Sequence, residues 1–198
     1  MEDRGIATDN PCGPNGRPAP TEAPVHPLIR CRWSPRAVSD RRVEPELLRT
    51  LFEAARWAPS SYNEQPWRFL VATADDPAGI ERMRSYLSPG NAWARRAPVL
   101  VLSAYRTTFE RDGRPNRVAM RDLGAAEQNL ALQAFALGLV AHPMAGFDAA
   151  RAKAELLPEG YEPGVLTALG YPGDPATLDE RNRERETRPR ERRPLSEI

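Results

Sequence analysis

The stretch of sequence that decides the fold connects a predicted helix to a predicted strand. Residues 57–69 read Trp57-Ala58-Pro59-Ser60-Ser61-Tyr62-Asn63-Glu64-Gln65-Pro66-Trp67-Arg68-Phe69. Two prolines stiffen this segment, and its hydroxyl and amide side chains can form hydrogen bonds with a flat polar ligand. The segment is therefore predicted to be a binding loop.

Helices and strands are predicted to alternate along the chain on both sides of this loop. Apolar residues at helical spacing predict helices over residues 44–57, 76–87, 118–139 and 148–157, the last capped by Asp148. Short apolar runs predict strands over residues 67–73, 98–105, 140–144 and 165–170. The polar residues 106–117 predict an exposed excursion. The alanine-rich helix 118–139 is predicted to be central or to lie at a subunit interface.

The two ends of the chain differ in composition from the middle. Residues 1–27 contain six prolines and few clustered apolar residues, which predicts a flexible leader. Residues 28–198 are predicted to form a single domain, because a chain of 198 residues suits one core. The charged residues 175–198 show no periodicity, and we expect an extended C-terminal arm there.

Composition excludes several classes of function. The chain has 28 basic and 27 acidic residues, and a net charge of +1 argues against a chain-wide grip on nucleic acid or an anionic membrane. The two cysteines, Cys12 and Cys31, indicate neither a disulfide framework nor a zinc site. No apolar run reaches the ~18 residues of a membrane span, and no export signal is evident. A cytoplasmic protein is predicted.

The loop at residues 57–69 resembles the PSSxNxQPW segment of the FMN-dependent nitroreductase family. Three further stretches resemble that family in the same order along the chain. In this loop the resemblance implies flavin contacts from Pro59, Ser60, Ser61 and Asn63, with Gln65 supporting the edge of the ring. A plain turn that ends a helix is the alternative, although four polar groups and two nearby aromatic residues exceed what a turn needs.

A second stretch, Arg32-Trp33-Ser34-Pro35-Arg36, places two guanidinium groups and a hydroxyl near a predicted helix start, a grouping suited to a phosphate monoester. It resembles the family element that holds the FMN phosphate. The cofactor-binding residues implied within it are Arg32, Trp33, Ser34 and Arg36. The alternative is a solvated arginine cluster in which Trp33 covers the core.

Two more stretches and one asparagine complete the implied site. Residues 188–195 resemble the basic pair that joins the phosphate site near the family's C-terminus, which implicates Arg190 and Arg192; a solvated tail is the alternative. Residues 138–148 resemble a strand end whose backbone N–H groups, those of Ala145 and Gly146, face flavin N5 and O4. Asn91 resembles a contact to the pyrimidine edge. His142 is interpreted as structural.

The resemblance implies an α+β sandwich, with a mostly antiparallel central sheet flanked by helices, in a domain-swapped homodimer. FMN at the subunit interface would carry hydride from NADH or NADPH to a nitro compound, a quinone or a similar small acceptor. No catalytic side chain or metal is predicted beyond flavin N5, and no GxGxxG loop is present. Alternatives are another flavin chemistry (flavin fragmentation, dehydrogenation or activated-alkene reduction) or an interaction protein that uses residues 180–193.

Overall fold

The computed structural model describes residues 12–13 and 16–198. The part of the leader prediction that concerns residues 1–11 and 14–15 lies outside the described residues. The division of the chain at residue 28 stays a prediction. None of the described helices is long and apolar enough to cross a membrane.

Six α-helices and four strands alternate along the described chain. In chain order they are α1 (Pro27–Cys31), α2 (Pro45–Arg56), β1 (Trp67–Thr73), α3 (Pro77–Arg84), β2 (Val99–Arg106), α4 (Ala119–Ala136), β3 (Val140–Met144), α5 (Ala149–Leu156), β4 (Tyr161–Gly170) and α6 (Glu180–Thr187). The N-terminal ends follow local chemistry, because Pro45 and Pro77 occupy the first turns of α2 and α3. Asp148 caps α5 by accepting from the Arg151 N–H, as predicted.

The strands form one antiparallel sheet in the order β1-β2-β4-β3. Alternate residues of β2 enter different hydrophobic clusters, so helices cover both faces of the sheet. Leu100 and Leu102 pack with α3 and α5, whereas Val99 and Val101 pack with α2 and α4. This α+β architecture confirms the predicted fold class and leaves β1 and β3 as the two edges of the sheet.

The C-terminal part of the chain differs from the predicted extended arm. Residues Glu180–Thr187 form α6, whose first turn is capped by Asp179 accepting from the Asn182 N–H at 2.8 Å. At the other end, the Arg17 guanidinium donates to the carbonyl groups of residues 186, 187 and 188. Cations and donors at a helix C-terminus satisfy its unpaired carbonyls and complement its dipole. The helix therefore depends on a contact from the distant leader.

The described part of the leader packs on the domain. Backbone N–H groups of Arg17 and Ala19 donate to the carbonyls of Cys31 and Arg30 at 3.0 and 2.9 Å. Cys12 and Cys31 form a disulfide, so the prediction that the cysteines build no disulfide was wrong. Two cysteines 19 residues apart carry no pairing signal in the sequence, and the bond depends on how the leader folds back.

His142 on β3 fastens the segment before α2 to the sheet. Its Nδ1 lies 2.9 Å from the Pro35 carbonyl oxygen, which can only accept, so Nδ1 carries the proton. The ring lies 4.6 Å from that of Trp93, centroid to centroid. Burial lowers the pKa of His142 to about 4; the hydrogen bond that His142 donates to the Pro35 carbonyl opposes this shift, and the charge of the nearby Arg36 adds to it. A neutral, buried imidazole fits the structural role predicted for this residue.

We predict that His142 makes the protein less stable as the pH falls from about 6.5 to about 4. In this window the unfolded chain binds a proton on His142 that the native chain does not. The free energy of unfolding should drop by up to about 3 kcal/mol from this group. His142→Asn keeps a donor for the Pro35 carbonyl without titrating. Urea unfolding of both proteins at several pH values should show a shallower loss in the variant; parallel curves would contradict the assignment.

Candidate functional site

Arginines from opposite ends of the chain lie together just beyond α1. Burial, and then the charge of Arg192, lowers the pKa of Arg32. Burial followed by the charges of Arg32, Arg192 and Arg17 lowers the pKa of Arg190. Guanidinium groups that depress one another's pKa repel each other, so an anion placed among them stabilises the group. The structure thus brings together Arg32, Arg190 and Arg192 as the sequence predicts.

Segment 32–36 follows the end of a helix, and the prediction that it lies near a helix start was wrong. Helix α1 ends at Cys31, and Arg32 and Ser34 continue as extended or irregular chain. A residue that precedes a proline rarely adopts the helical backbone conformation, and Ser34 precedes Pro35. The Arg32 Nη1 donates to the Ser34 Oγ at 3.2 Å, so these two predicted phosphate ligands are neighbours.

Arg36 is engaged by a carboxylate from α6. Glu186 is 5% exposed and accepts from the backbone N–H groups of Arg36 and Ala37 at 2.9 to 3.0 Å. Its Oε2 lies 4.0 Å from the Arg36 Nη1. Burial lowers the pKa of Arg36, while Glu186 opposes this shift. Arg36 therefore links the tail to segment 32–36, and the Glu186 carboxylate partly neutralises the charge of its side chain.

The other predicted phosphate ligands also contact the leader or the tail. The Arg190 Nη1 donates to the carbonyls of Arg17 and of Arg30, the latter at 2.8 Å. The Arg192 Nη1 donates to the Glu191 carbonyl at 2.7 Å. The Arg17 guanidinium lies 5.3 Å from the centroid of the Trp33 ring, so a cation covers this predicted cofactor residue.

A cleft of about 730 Å³ opens beside these arginines. Its walls come from the leader, α1, the tail and Gln128 of α4, and the charged lining residues are Glu22, Arg30, Arg32, Arg190, Glu191, Arg192 and Arg193. A cleft of this size falls in the range of small-molecule sites. Its positive balance suits a ligand that carries a phosphate.

The predicted binding loop is held in a strained conformation. The Ser61 N–H donates to the Asp122 Oδ2 at 2.9 Å, and the Ser60 Oγ accepts from the Gln65 N–H at 3.0 Å. Tyr62, Asn63 and Gln65 have positive φ angles of 54°, 56° and 51°. Non-glycine residues adopt this region at a cost, and they concentrate at functional sites.

Two side chains of the loop stay available to a ligand, and a third supports the loop itself. Pro59 and Asn63 are exposed. The Gln65 Nε2 donates to the Asn63 carbonyl at 3.0 Å, so this amide stabilises the loop, and its role at a ring edge stays a prediction. The hydrogen bonds preorganise the backbone around Asn63 before any ligand binds.

Ala145 and Gly146 follow the end of β3, and Gly146 contacts another predicted ligand, Asn91. The Gly146 carbonyl accepts from the Asn91 Nδ2 at 2.9 Å and from the Ser88 N–H at 3.2 Å. A Cβ at position 146 would lie 2.7 Å from the Asn91 Nδ2 and 2.9 Å from the Ser88 Oγ. A side chain at position 146 would therefore displace the Asn91 amide and the Ser88 hydroxyl from their present positions.

The predicted residues divide into two groups at opposite edges of the sheet. The arginine side comprises Arg32–Arg36, Asn91, Ala145–Gly146, Arg190 and Arg192; His142 joins Pro35 to β3, which leads to Ala145. The loop side comprises Pro59–Gln65, which leads into β1. Three strand spacings separate β1 from β3, or about 14 Å. The two groups therefore lie beside different edge strands of the sheet.

Sequence reasoning missed three residues that position this site: Asp122, Glu186 and Ser88. Asp122 carried a signal, because it lies on the buried stripe of α4 between Ala119 and Ala126 and is 0% exposed. A carboxylate in an apolar stripe must find donors, and the Ser61 N–H is one. Glu186 lies in an aperiodic charged run and Ser88 in a turn, so neither carried a signal. Within the described part of the chain, no three His, Cys, Asp or Glu side chains form a metal-binding group.

Comparison with known sequences identifies relatives of the whole central region. The profile of the Nitroreductase family matches residues 29–88 and 81–171. An uncharacterised 15.4 kDa protein of Mycolicibacterium smegmatis is 44% identical over 138 residues, which are 66% of this chain and 92% of that protein. A Rhodopseudomonas palustris protein, named as a candidate NADH dehydrogenase/NAD(P)H nitroreductase, is 34% identical over 171 residues, which are 76% of this chain and 83% of that protein.

Solved structures share the fold over most of the chain. A crystal structure described as an oxidoreductase containing FMN has a TM-score of 0.86 and 36% identity, and the match covers 91% of this chain and 92% of that one. A Desulfovibrio desulfuricans protein, described as a candidate nitroreductase in complex with FMN, has a TM-score of 0.68 and 34% identity over 89% of this chain and 95% of its own. With the matched profile and these relatives, the chain belongs to the nitroreductase family.

Proposed function

We propose that the chain is an FMN-dependent oxidoreductase that passes hydride from NADH or NADPH to a nitro compound, a quinone or a related electrophilic acceptor. The observation that carries this proposal is the cluster of Arg32, Arg190 and Arg192, whose mutual repulsion a phosphate monoester relieves. Two similar solved structures are described with FMN, and a relative is named for NAD(P)H, which supports this choice of cofactor and reductant.

The chain's own residues would bind the cofactor and orient it. Arg32, Arg190 and Arg192, with the Ser34 hydroxyl, would hold the FMN phosphate through charge-assisted hydrogen bonds. The bound FMN supplies the ring that accepts and donates hydride. The turn at Gly146, fixed by hydrogen bonds to its carbonyl, would present backbone N–H groups to that ring. These roles require positioning and positive charge rather than an acidic or nucleophilic side chain.

We propose further that the active unit is a homodimer in which each site takes its arginine side from one subunit and its loop side from the other. The two sides lie beside β1 and β3, the opposite edges of one sheet and about 14 Å apart, so we expect a flavin held by the arginines to meet the loop of a partner chain. Exposed apolar side chains near the loop, such as Trp57 at 73% and Met120 at 67%, suit burial against a second copy.

The proposed location is the cytoplasm. The Cys12–Cys31 disulfide argues against this location, because such bonds persist mainly in oxidising compartments. Free-thiol titration of protein isolated under acid quench from a cytoplasmic extract measures whether the bond is present there.

We predict that the arginines at the two ends of the chain bind the same phosphate. Arg32→Ala and Arg192→Ala should each weaken FMN binding about tenfold or more, because a charge-assisted contact contributes about 1.5 to 3 kcal/mol. Arg183→Ala is the matched control, since Arg183 is exposed on α6 of the same arm. Titration of the apoprotein with FMN, followed by quenching of flavin fluorescence, gives the dissociation constants. Unchanged affinity in both test variants would remove the tail and segment 32–36 from the site.

We predict that two defective chains can restore one working site between them. One chain carries Arg32→Ala with Arg192→Ala, and the other carries Asn63→Ala with Ser61→Ala. If each site is shared, the heterodimer has one intact site and one site with every defect. Its FMN content and NAD(P)H oxidation should return to about half of the parental value, whereas both homodimers stay defective.

Differently tagged chains, co-expressed and purified over both tags, supply the heterodimer. A heterodimer of two unaltered chains is the control for the tags. Activity no higher than the mean of the two defective homodimers would show that each site is built within one chain.

A further inference from the structure

Tyr62 combines an exposed ring with a strained backbone. It is 75% exposed and has a φ angle of 54°. A bulky residue in this region is uncommon, and burial does not explain its presence here. Strain that persists in a loop fixed by hydrogen bonds is a feature of ligand sites, where it presents a side chain in a set direction.

Two residues of the excursion 106–117 complete a cluster around this ring. The Phe109 ring lies 6.0 Å from that of Tyr62, centroid to centroid, at an interplanar angle of 80°. The Arg111 guanidinium lies 4.3 Å from the Tyr62 centroid and 5.3 Å from the Phe109 centroid. The Glu110 N–H donates to the Glu64 Oε1 at 2.6 Å and so fixes the excursion to the loop side. Two rings and one cation are thus held together beside Asn63.

The charge of Arg111 is not cancelled locally. Asp112 accepts from the Arg111 Nε at 3.3 Å, but it also accepts from the Arg114 N–H and Nε at 3.1 and 3.0 Å. Arg114 is the first cause of the lowered pKa of Asp112, and Arg111 is the last. Because Asp112 is shared by two guanidinium groups, it compensates the charge of Arg111 only in part.

We propose that Tyr62, Phe109 and Arg111 determine acceptor specificity and favour flat aromatic acceptors that carry an anionic group, such as a carboxylate. This inference rests on the proposed function, because it requires the loop side to border the flavin. The rings offer a surface for stacking a planar acceptor, and the guanidinium pairs with its anionic substituent. The cluster leaves the hydride transfer itself to the cofactor and selects what binds next to it.

The test compares two acceptors of the same ring and nitro group that differ in the charge of one substituent, 4-nitrobenzoate and its methyl ester. Loss of one charge-assisted contact corresponds to about tenfold in affinity. Arg111→Gln should therefore lower kcat/KM for 4-nitrobenzoate about tenfold while leaving the ester within about twofold of the parental value. Arg117→Gln, which removes an exposed arginine from the same excursion, is the matched control and should change neither. A carboxylated benzoquinone and its methyl ester form a second pair with another electrophile.

A second variant separates the ring from the fold. Tyr62→Gly removes the ring, and glycine adopts a positive φ without strain. It should lower kcat/KM for both members of each pair while thermal unfolding stays at or above the parental temperature. A Tyr62→Gly protein that unfolds early and keeps parental kinetics would assign the ring to stability and overturn the inference.

The FMN content, measured by absorbance for every variant, shows whether a negative result contradicts the proposed function or only this inference. A parental protein that does not bind FMN would overturn the proposed function and this inference with it. A protein that binds FMN stoichiometrically, yet shows the same charge preference with and without Arg111, would overturn the inference alone. A flavin-loaded protein that reduces neither pair of acceptors would overturn it as well.

Discussion

The pairing of β2 with β4 sets the geometry on which the site depends. This pairing aligns Leu102 with Leu166 in the most buried part of the molecule, where both side chains are 0% exposed. Strands β1 and β3 can then occupy only the two edges. Because close-packed cores resist deformation, the distance between the edges cannot shrink to fit a ligand. In the proposed function residues from both edges border one flavin, and the proposed homodimer supplies the second edge.

The arginine side obtains its rigidity from charge that is buried and satisfied. Glu186 would be costly inside the protein by itself, but the N–H groups of Arg36 and Ala37 donate to it. The same helix ends on carbonyls that accept from Arg17. Leader, tail and segment 32–36 thus stabilise one another through backbone groups. The remaining arginines line a cleft in which they outnumber the two side-chain carboxylates, Glu22 and Glu191, and a positive balance of this kind attracts a phosphate.

Local patterns predicted most of the sheet and of the central helices, and long-range contacts account for the errors. The strand over 67–73 matches β1 at both ends, and 140–144 matches β3, because short apolar runs depend on their own residues. Helix α6 was missed, since its sequence is strongly polar and its ends are satisfied by Asp179 and the distant Arg17. The Cys12–Cys31 disulfide and the contact of Gly146 with Asn91 were missed for the same reason, because each joins segments that are distant in the sequence. A contact between residues that are far apart in the sequence produces no periodic pattern from which it could be predicted.

The loop side shows how a buried carboxylate supports a strained backbone. Asp122 accepts from the Ser61 N–H and from the Arg121 Nη1, both at 2.9 Å, although the Arg121 side chain is 73% exposed. Three departures from ordinary backbone within four residues, at Tyr62, Asn63 and Gln65, cost about 1 to 3 kcal/mol each. Contacts with the core hold the loop in this conformation before a ligand binds, so ligand binding does not have to order the loop. The excursion 106–117 is joined to the loop by the Glu110 N–H, which donates to Glu64, and to the start of β4 by the Thr107 N–H, which donates to the Gly160 carbonyl, so the preorganised loop also helps to position the excursion.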